Sequence, residues 1–145
     1  MKKLEVDLKS LLEIILQTTA YPKMAICFQL HLVTPTNDGF QLFAACANAC
    51  IALSNKAGLN QMVAPVTAMT LCIKEDGDRF EVAQNDLGQN TDIIDVVFGE
   101  GLEIVYLETV ESRGGGLSDV MGALMSAESE LAASAKKLIS INYAQ

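Results

Sequence analysis

The chain has 145 residues, with 18 acidic and 10 basic side chains, a net charge of −8, and 50% hydrophobic residues. That length suits one domain burying roughly two-thirds of its unfolded surface, and the composition excludes a disordered tail or a collagen repeat. The acidic balance argues against a free-standing nucleic-acid binder, because neutralising phosphates takes clustered Lys and Arg.

The opening Met1-Lys2-Lys3-Leu4 starts like a secretory leader, but Glu5, Asp7, Lys9 and Glu13 interrupt the apolar run. No stretch reaches the ~18 apolar residues of a membrane span. Residues 5–19 carry Leu8, Leu11, Leu12, Ile15 and Leu16 at helical spacing, with Asp7 or Ser10 as N-cap. Tyr21-Pro22 stops this helix. Residues 24–34 then alternate with period two. Met24, Ile26, Phe28, Leu30 and Leu32 share one face, which predicts a strand. A turn at 35–39 follows.

Residues 40–57 are alanine-rich and apolar nearly all round, so they predict a buried helix with Gly58 at its C′ position. Residues 66–74 read as a strand, and strand–helix–strand suggests a parallel pair with a right-handed crossover. Asp76-Gly77 signals a hairpin returning through 79–83. Residues 91–98 and 102–110 form the clearest hairpin, turning at Gly99-Glu100-Gly101. Residues 112–117 read as a flexible joint, after which Ser118 caps one long helix ending near Ser140. The order is α-β-α-β-β-β-β-α, an α+β class.

The four cysteines, Cys27, Cys46, Cys50 and Cys72, include no Cys-x-x-Cys pair and have apolar neighbours. Buried free thiols in a reducing compartment, and so a soluble intracellular protein, are expected. Cys46 and Cys50, one helical turn apart, could join His31 or Cys72 around zinc. They lack finger-like spacing, so core packing is the favoured reading. His31, the single histidine, is one candidate general base, but no Gly-x-Ser-x-Gly elbow accompanies it. It reads instead as a partly exposed strand residue.

Arg113-Gly114-Gly115-Gly116 lacks the spacing of a phosphate loop and reads as a joint. Residues 75–111 hold eleven acids and one base, Arg79, for a net of −10. Convergent acids such as Glu81, Asp86 and Asp92 could bind Mg²⁺, but a solvated face is the favoured reading. Phe40 and Phe43 have no basic cluster beside them for stacking on RNA, and Lys136-Lys137 reads as a helix C-terminus favoured by the macrodipole. From the residues alone, no self-sufficient active site emerges, and no cofactor or metal site is expected.

A resemblance enters at the second helix. Asp38-Gly39, the run Ala44-Ala45-Cys46-Ala47-Asn48-Ala49-Cys50-Ile51-Ala52-Leu53, and Ala57-Gly58-Leu59 resemble the RNase PH family. Its exosome ring subunits carry a comparable helix with an Asn-Ala element and an Ala-Gly-Ile-type end. Upstream, Leu11-Leu12-Glu13-Ile14-Ile15 followed by Tyr21-Pro22-Lys23 is similar to the family's helix ending in a Tyr-Pro-Arg-like turn. The order of the later strands and the last helix extends the likeness from about Leu4 to Ile141.

Two departures bear on activity. Active members of the family begin this helix with a Gly-Gly-Thr-Arg-like motif whose arginine binds the attacking phosphate. Here Gly39 is followed by Phe40-Gln41-Leu42-Phe43, so the arginine's place falls near Leu42 or Phe43. Active members also carry metal-binding acids in a Leu-Asp-x-x-x-Glu-Asp-like stretch, and Glu81 and Asp86 stand near those positions as degenerate candidates.

The resemblance therefore implies a catalytically silent exosome ring subunit of the short type. It would be a structural component in 3′-to-5′ RNA processing and degradation, nuclear (including nucleolar) and cytoplasmic. Its partners would be other RNase PH-like subunits, RNA would be held only through the assembly, and no membrane would be involved. It further implies an RNase PH-like sheet with packed helices in a single domain, 1–145, that lacks the family's N-terminal strands and leaves a sheet edge or face uncovered. A phosphorolytic 3′-5′ exoribonuclease using Glu81 and Asp86, and an unrelated homo-oligomeric binding module, are the alternatives.

Overall fold

The computed structural model describes residues 2–33, 42–76, 79–83, 91–111 and 117–144. Helix α1 (Lys2–Ile15) is followed by a short 3₁₀ turn (Thr18–Ala20) and helix α2 (Leu42–Lys56). Strands β1 (Val66–Asp76), β2 (Arg79–Ala83), β3 (Thr91–Gly99) and β4 (Ile104–Glu111) come next, then helices α3 (Leu117–Ser126) and α4 (Glu128–Asn142). The fold is α+β, built on one four-stranded sheet in the order β2-β1-β3-β4.

Every strand pair is antiparallel. The expected parallel crossover is therefore corrected, since β1 takes β2 and β3 as antiparallel neighbours. The strand–helix–strand order misleads because its first member, residues 24–33, forms no strand, and burial on both faces of β1 does not betray its direction. Val66, Ala68 and Val97 pack against α1 and α2, while Met69, Leu71, Ile73, Ile94, Val96 and Phe98 pack against α3 and α4. A strand covered on both faces is apolar at every position, the pattern more usual for a parallel sheet.

Residues 24–33 form no strand. Their alternation is real, but no segment among the described residues pairs with them. The element order thus departs from the expected one, with four helices and four strands among the described residues. The single long C-terminal helix is also two helices, broken at Ala127. Helix α4 runs on to Asn142, so Lys136 and Lys137 lie inside it rather than in its last turn. Ser118 lies within α3, one residue after its start. Helix α1 begins at Lys2, which puts Asp7 and Ser10 inside it, where the Ser10 hydroxyl donates to Val6 O instead of capping.

Helix α1 also ends at Ile15, short of the stop expected at Tyr21-Pro22, and a separate 3₁₀ turn fills Thr18–Ala20. Other local readings hold. The α1 stripe Leu8, Leu11 and Ile15 is buried. Gly58 has φ +71°, Gly58 N–H donates to Asn55 O at 3.1 Å, and Leu59 N–H donates to Ser54 O at 3.0 Å. That is the Schellman stop expected where a glycine takes the left-handed conformation. The β3–β4 hairpin turns at Gly99-Glu100-Gly101, and Gly99 N–H donates to Glu103 O. Asp76 is in register with Arg79 at the end of the β1–β2 pair. Among the described residues, no helix is long and apolar enough to cross a membrane.

The edge of β1 is closed by side chains. Strand β2 pairs only with Cys72–Asp76, so among the described residues Val66–Leu71 lacks a strand on that side. Asn48 of α2 takes the strand's place: its Nδ2 donates to Ala68 O, and its Oδ1 accepts from Ala68 N–H, both at 2.9 Å. The same Oδ1 accepts from Thr67 Oγ1 and from Asn142 Nδ2 of α4. Asn142 also donates to Val66 O at 3.3 Å. Tyr143 Oη accepts from Val66 N–H and donates to Gln61 Oε1. Two asparagines and a tyrosine thus satisfy an edge that would otherwise hold unpaired peptide groups.

Candidate functional site

Four elements bring a polar cluster together beneath α1. Asp95 of β3 lies opposite Thr70 of β1 and Glu108 of β4. Lys3 and Asp7, four residues apart on α1, reach the same face of the sheet (both interact with Glu108). Thr70 Oγ1 donates to Asp95 Oδ1 at 2.7 Å. The two oxygens of Glu108 are shared, Oε1 with Lys3 Nζ at 3.1 Å and Oε2 with Tyr106 Oη at 2.8 Å.

Burial separates the two acids of the sheet. Asp95 is only 6% exposed, and desolvation pushes its pKa up to about 6, against the Thr70 hydrogen bond and with the neighbouring charges of Glu108 and Asp7. Glu108 is also partly desolvated, yet its bonds from Tyr106 and Lys3 outweigh this and hold it below the ordinary range. Burial raises Asp7, and Glu108 beside it raises it further. Tyr106 is pushed up by burial and by its bond to Glu108. Lys3 is raised by its hydrogen bond to Glu108.

Asp95 thus corrects the reading of all eleven acids as a solvated face. Its signal in the sequence was its position as the single charge in the run Ile93–Phe98.

The place assigned by resemblance to a phosphate-binding arginine lies at the start of α2. Phe43 there is 5% exposed and stacks on Tyr106, with ring centroids 5.6 Å apart and planes at 20°. Leu42 is partly buried against the same core. Glu81 lies on β2 at the sheet edge, in register with Lys74. Asp86 lies outside the described residues, as do Phe40, Asp78 and Arg113-Gly114-Gly115-Gly116.

The cysteines divide. Cys46, Cys50 and Cys72 are buried, whereas Cys27 is exposed, which corrects the expectation that all four are core residues. Burial pushes Cys50 up to about 11, helped by Cys46, and raises Cys46 as well. Both thiols are thereby kept protonated and poorly nucleophilic at neutral pH. His31 is exposed on the strandless segment. Among the described residues, no group of three or more His, Cys, Asp or Glu side chains is placed to hold a metal ion.

One apolar groove of about 570 Å³ runs between α1 and residues 24–32. Leu8, Leu12 and Leu16 form one wall, Ile26 and Phe28 the other, and Cys46 and Cys50 line it as well. Its polar groups are few, with Glu5, Lys9 and Glu13 contributed by α1. Nothing in it resembles an acid–base pair aimed at a reacting atom.

No family model matches this chain, and no curated protein matches it in sequence.

Proposed function

We propose that this protein is a non-catalytic RNase PH-like subunit of an exosome ring, shaping the ring and its RNA channel in 3′-to-5′ processing and degradation. The observation that carries the reading is the pair Phe43–Tyr106. Where an active member of the family needs a cation to fix phosphate in line with the RNA 3′ linkage, this chain stacks two aromatic rings in its core. A buried apolar side chain cannot orient an oxyanion. The acids around Tyr106, namely Glu108, Asp95 and Asp7, would repel one.

Resemblance along the α2 sequence supports the family assignment. With a net of −10 over residues 75–111, the grip on RNA falls to basic neighbours in the assembly. Such a subunit would work in the nucleus, nucleolus and cytoplasm.

Affinity purification of the tagged protein tests this reading. Other RNase PH-like subunits are expected in the native complex, and their absence overturns it. The isolated protein is expected to release no nucleoside diphosphates from RNA in the presence of phosphate and Mg²⁺. Phosphate-dependent release would instead establish an exoribonuclease.

A further inference from the structure

Helix α1 is held at its two ends by different chemistry. Toward its C-terminal end the attachment does not titrate. Leu11 and Ile15 are fully buried, Met62 N–H donates to Ile15 O at 2.7 Å, and Gln17 N–H donates to Asn60 O at 2.9 Å. Over the first two turns the polar attachment is made of ionisable side chains. Lys3 Nζ lies 3.1 Å from Glu108 Oε1, and Asp7 is hydrogen-bonded to Glu108 carboxyl to carboxyl. An ionised carboxylate only accepts hydrogen bonds, so such a pair exists only while one partner keeps a proton.

We propose that α1 is a proton-set clamp: its first two turns, Lys2–Leu8, stay closed on the sheet while the Asp7–Asp95–Glu108 cluster keeps its protons, and loosen when it loses them. The cluster has the composition for this. Around Asp95 the charged groups among the described residues are Glu108 of β4 and Lys3 and Asp7 of α1. Tyr106 of β4 donates to Glu108, and Thr70 donates to Asp95, with the buried Cys72 thiol two residues further along the same face of β1. Helix α2 carries no charge before Lys56 in its last turn. Fully ionised, the cluster sets three carboxylates against one ammonium, and Asp95 is shielded from water.

The direction follows from the raised acids. Burial and neighbouring carboxylates lift Asp95 to about 6, and Asp7 stands above its ordinary value for the same reasons. Both bind protons more tightly when α1 is closed, so closure is favoured most in acid and fades as pH rises toward and through about 6. Glu108 remains the acceptor, held ionised by Tyr106 and Lys3. The clamp belongs to this chain and does not rest on membership of a ring.

Amide hydrogen exchange, corrected for intrinsic rates, tests it in the intact protein. From about pH 5 to about pH 8, protection of the Val6–Ser10 amides is expected to fall about fivefold more than that of Leu131–Ala135 in α4. Asp7→Asn donates to Glu108 without a titrating proton and is expected to remove most of this difference. Asp95→Asn should reduce it as well. Lys3→Met removes the cluster's single cation and should increase opening at the alkaline end. Lys3 is largely exposed and Asp7 half-buried, so their variants keep the test valid if Asp95→Asn misfolds.

Carbon-13 titration of the Asp7 carboxyl gives a second readout. Its midpoint is expected above that of an ordinary aspartate and should drop in Glu108→Gln. Val6–Ser10 protection that tracks α4 at every pH, a pH response unmoved by Asp7→Asn, or an ordinary Asp7 midpoint would each overturn the proposal.

Discussion

Strand β1 and residues 24–33 are chains of similar length and similar apolar character, and they end in opposite situations. Over Val66–Lys74, β1 is paired with β3 along its length, and β2 and the asparagines of α2 and α4 complete its other edge. Both of its faces are covered by helices. Residues 24–33 have the cleaner alternation, yet among the described residues no strand lies beside them and much of their apolar surface faces solvent. The difference teaches that alternation describes a face, whereas a strand needs an edge partner. Backbone groups without one gain nothing from extended geometry.

The largest break in that comparison is expected from Leu71→Ala. Leu71 is fully buried in β1 against the α3–α4 side. Losing it should cost about 2–5 kcal/mol in urea unfolding. Next comes Asn48→Ala, which unpairs both peptide groups of Ala68 and removes one of the two acceptors of the Asn142 amide. A loss of about 2 kcal/mol is expected, with hydrogen exchange at the Ala68 amide accelerated more than at Val96.

Asp95→Asn should act in the opposite direction. A carboxyl whose folded pKa is raised to about 6 from an ordinary value near 4 binds its proton more tightly in the native state. This group therefore favours folding most at acidic pH, and its contribution declines as pH rises from about 4 to about 6. At pH 7 the variant, which can still accept the Thr70 hydrogen bond, is expected to melt about 2–4 °C higher than the parent. The melting temperature of the variant should also lose part of its decline across that window. The smallest effect belongs to Val33→Ser. At 92% exposure it should change stability by less than about 0.5 kcal/mol. A large loss there would show that the segment is covered after all.

Legibility followed the range of the interaction. The α1 stripe, the Gly58 stop and the β3–β4 turn were readable because each depends on neighbours within a few residues. The division of α3 from α4 at Ala127 was not, because helical spacing continues across it and alanine is an ordinary helix residue. At the candidate site, Cys46 and Cys50 share one helical turn and are buried, as their spacing and apolar neighbours suggested. The Asp95–Thr70–Glu108 cluster was hidden because those residues meet only through strand register, which no local pattern encodes.

The sequence by itself determined the α+β class, the buried character of α2, the position of two hairpins, and the concentration of acid in residues 75–111. Only the tertiary structure decided that β1 runs antiparallel to both neighbours, that Asn48 and Asn142 close its edge, and that Asp95 is shielded while most of residues 24–33 is not. The physical reason is that periodicity records which side chains avoid water. Pairing, register and the desolvation of a charge depend instead on which distant segments arrive beside it.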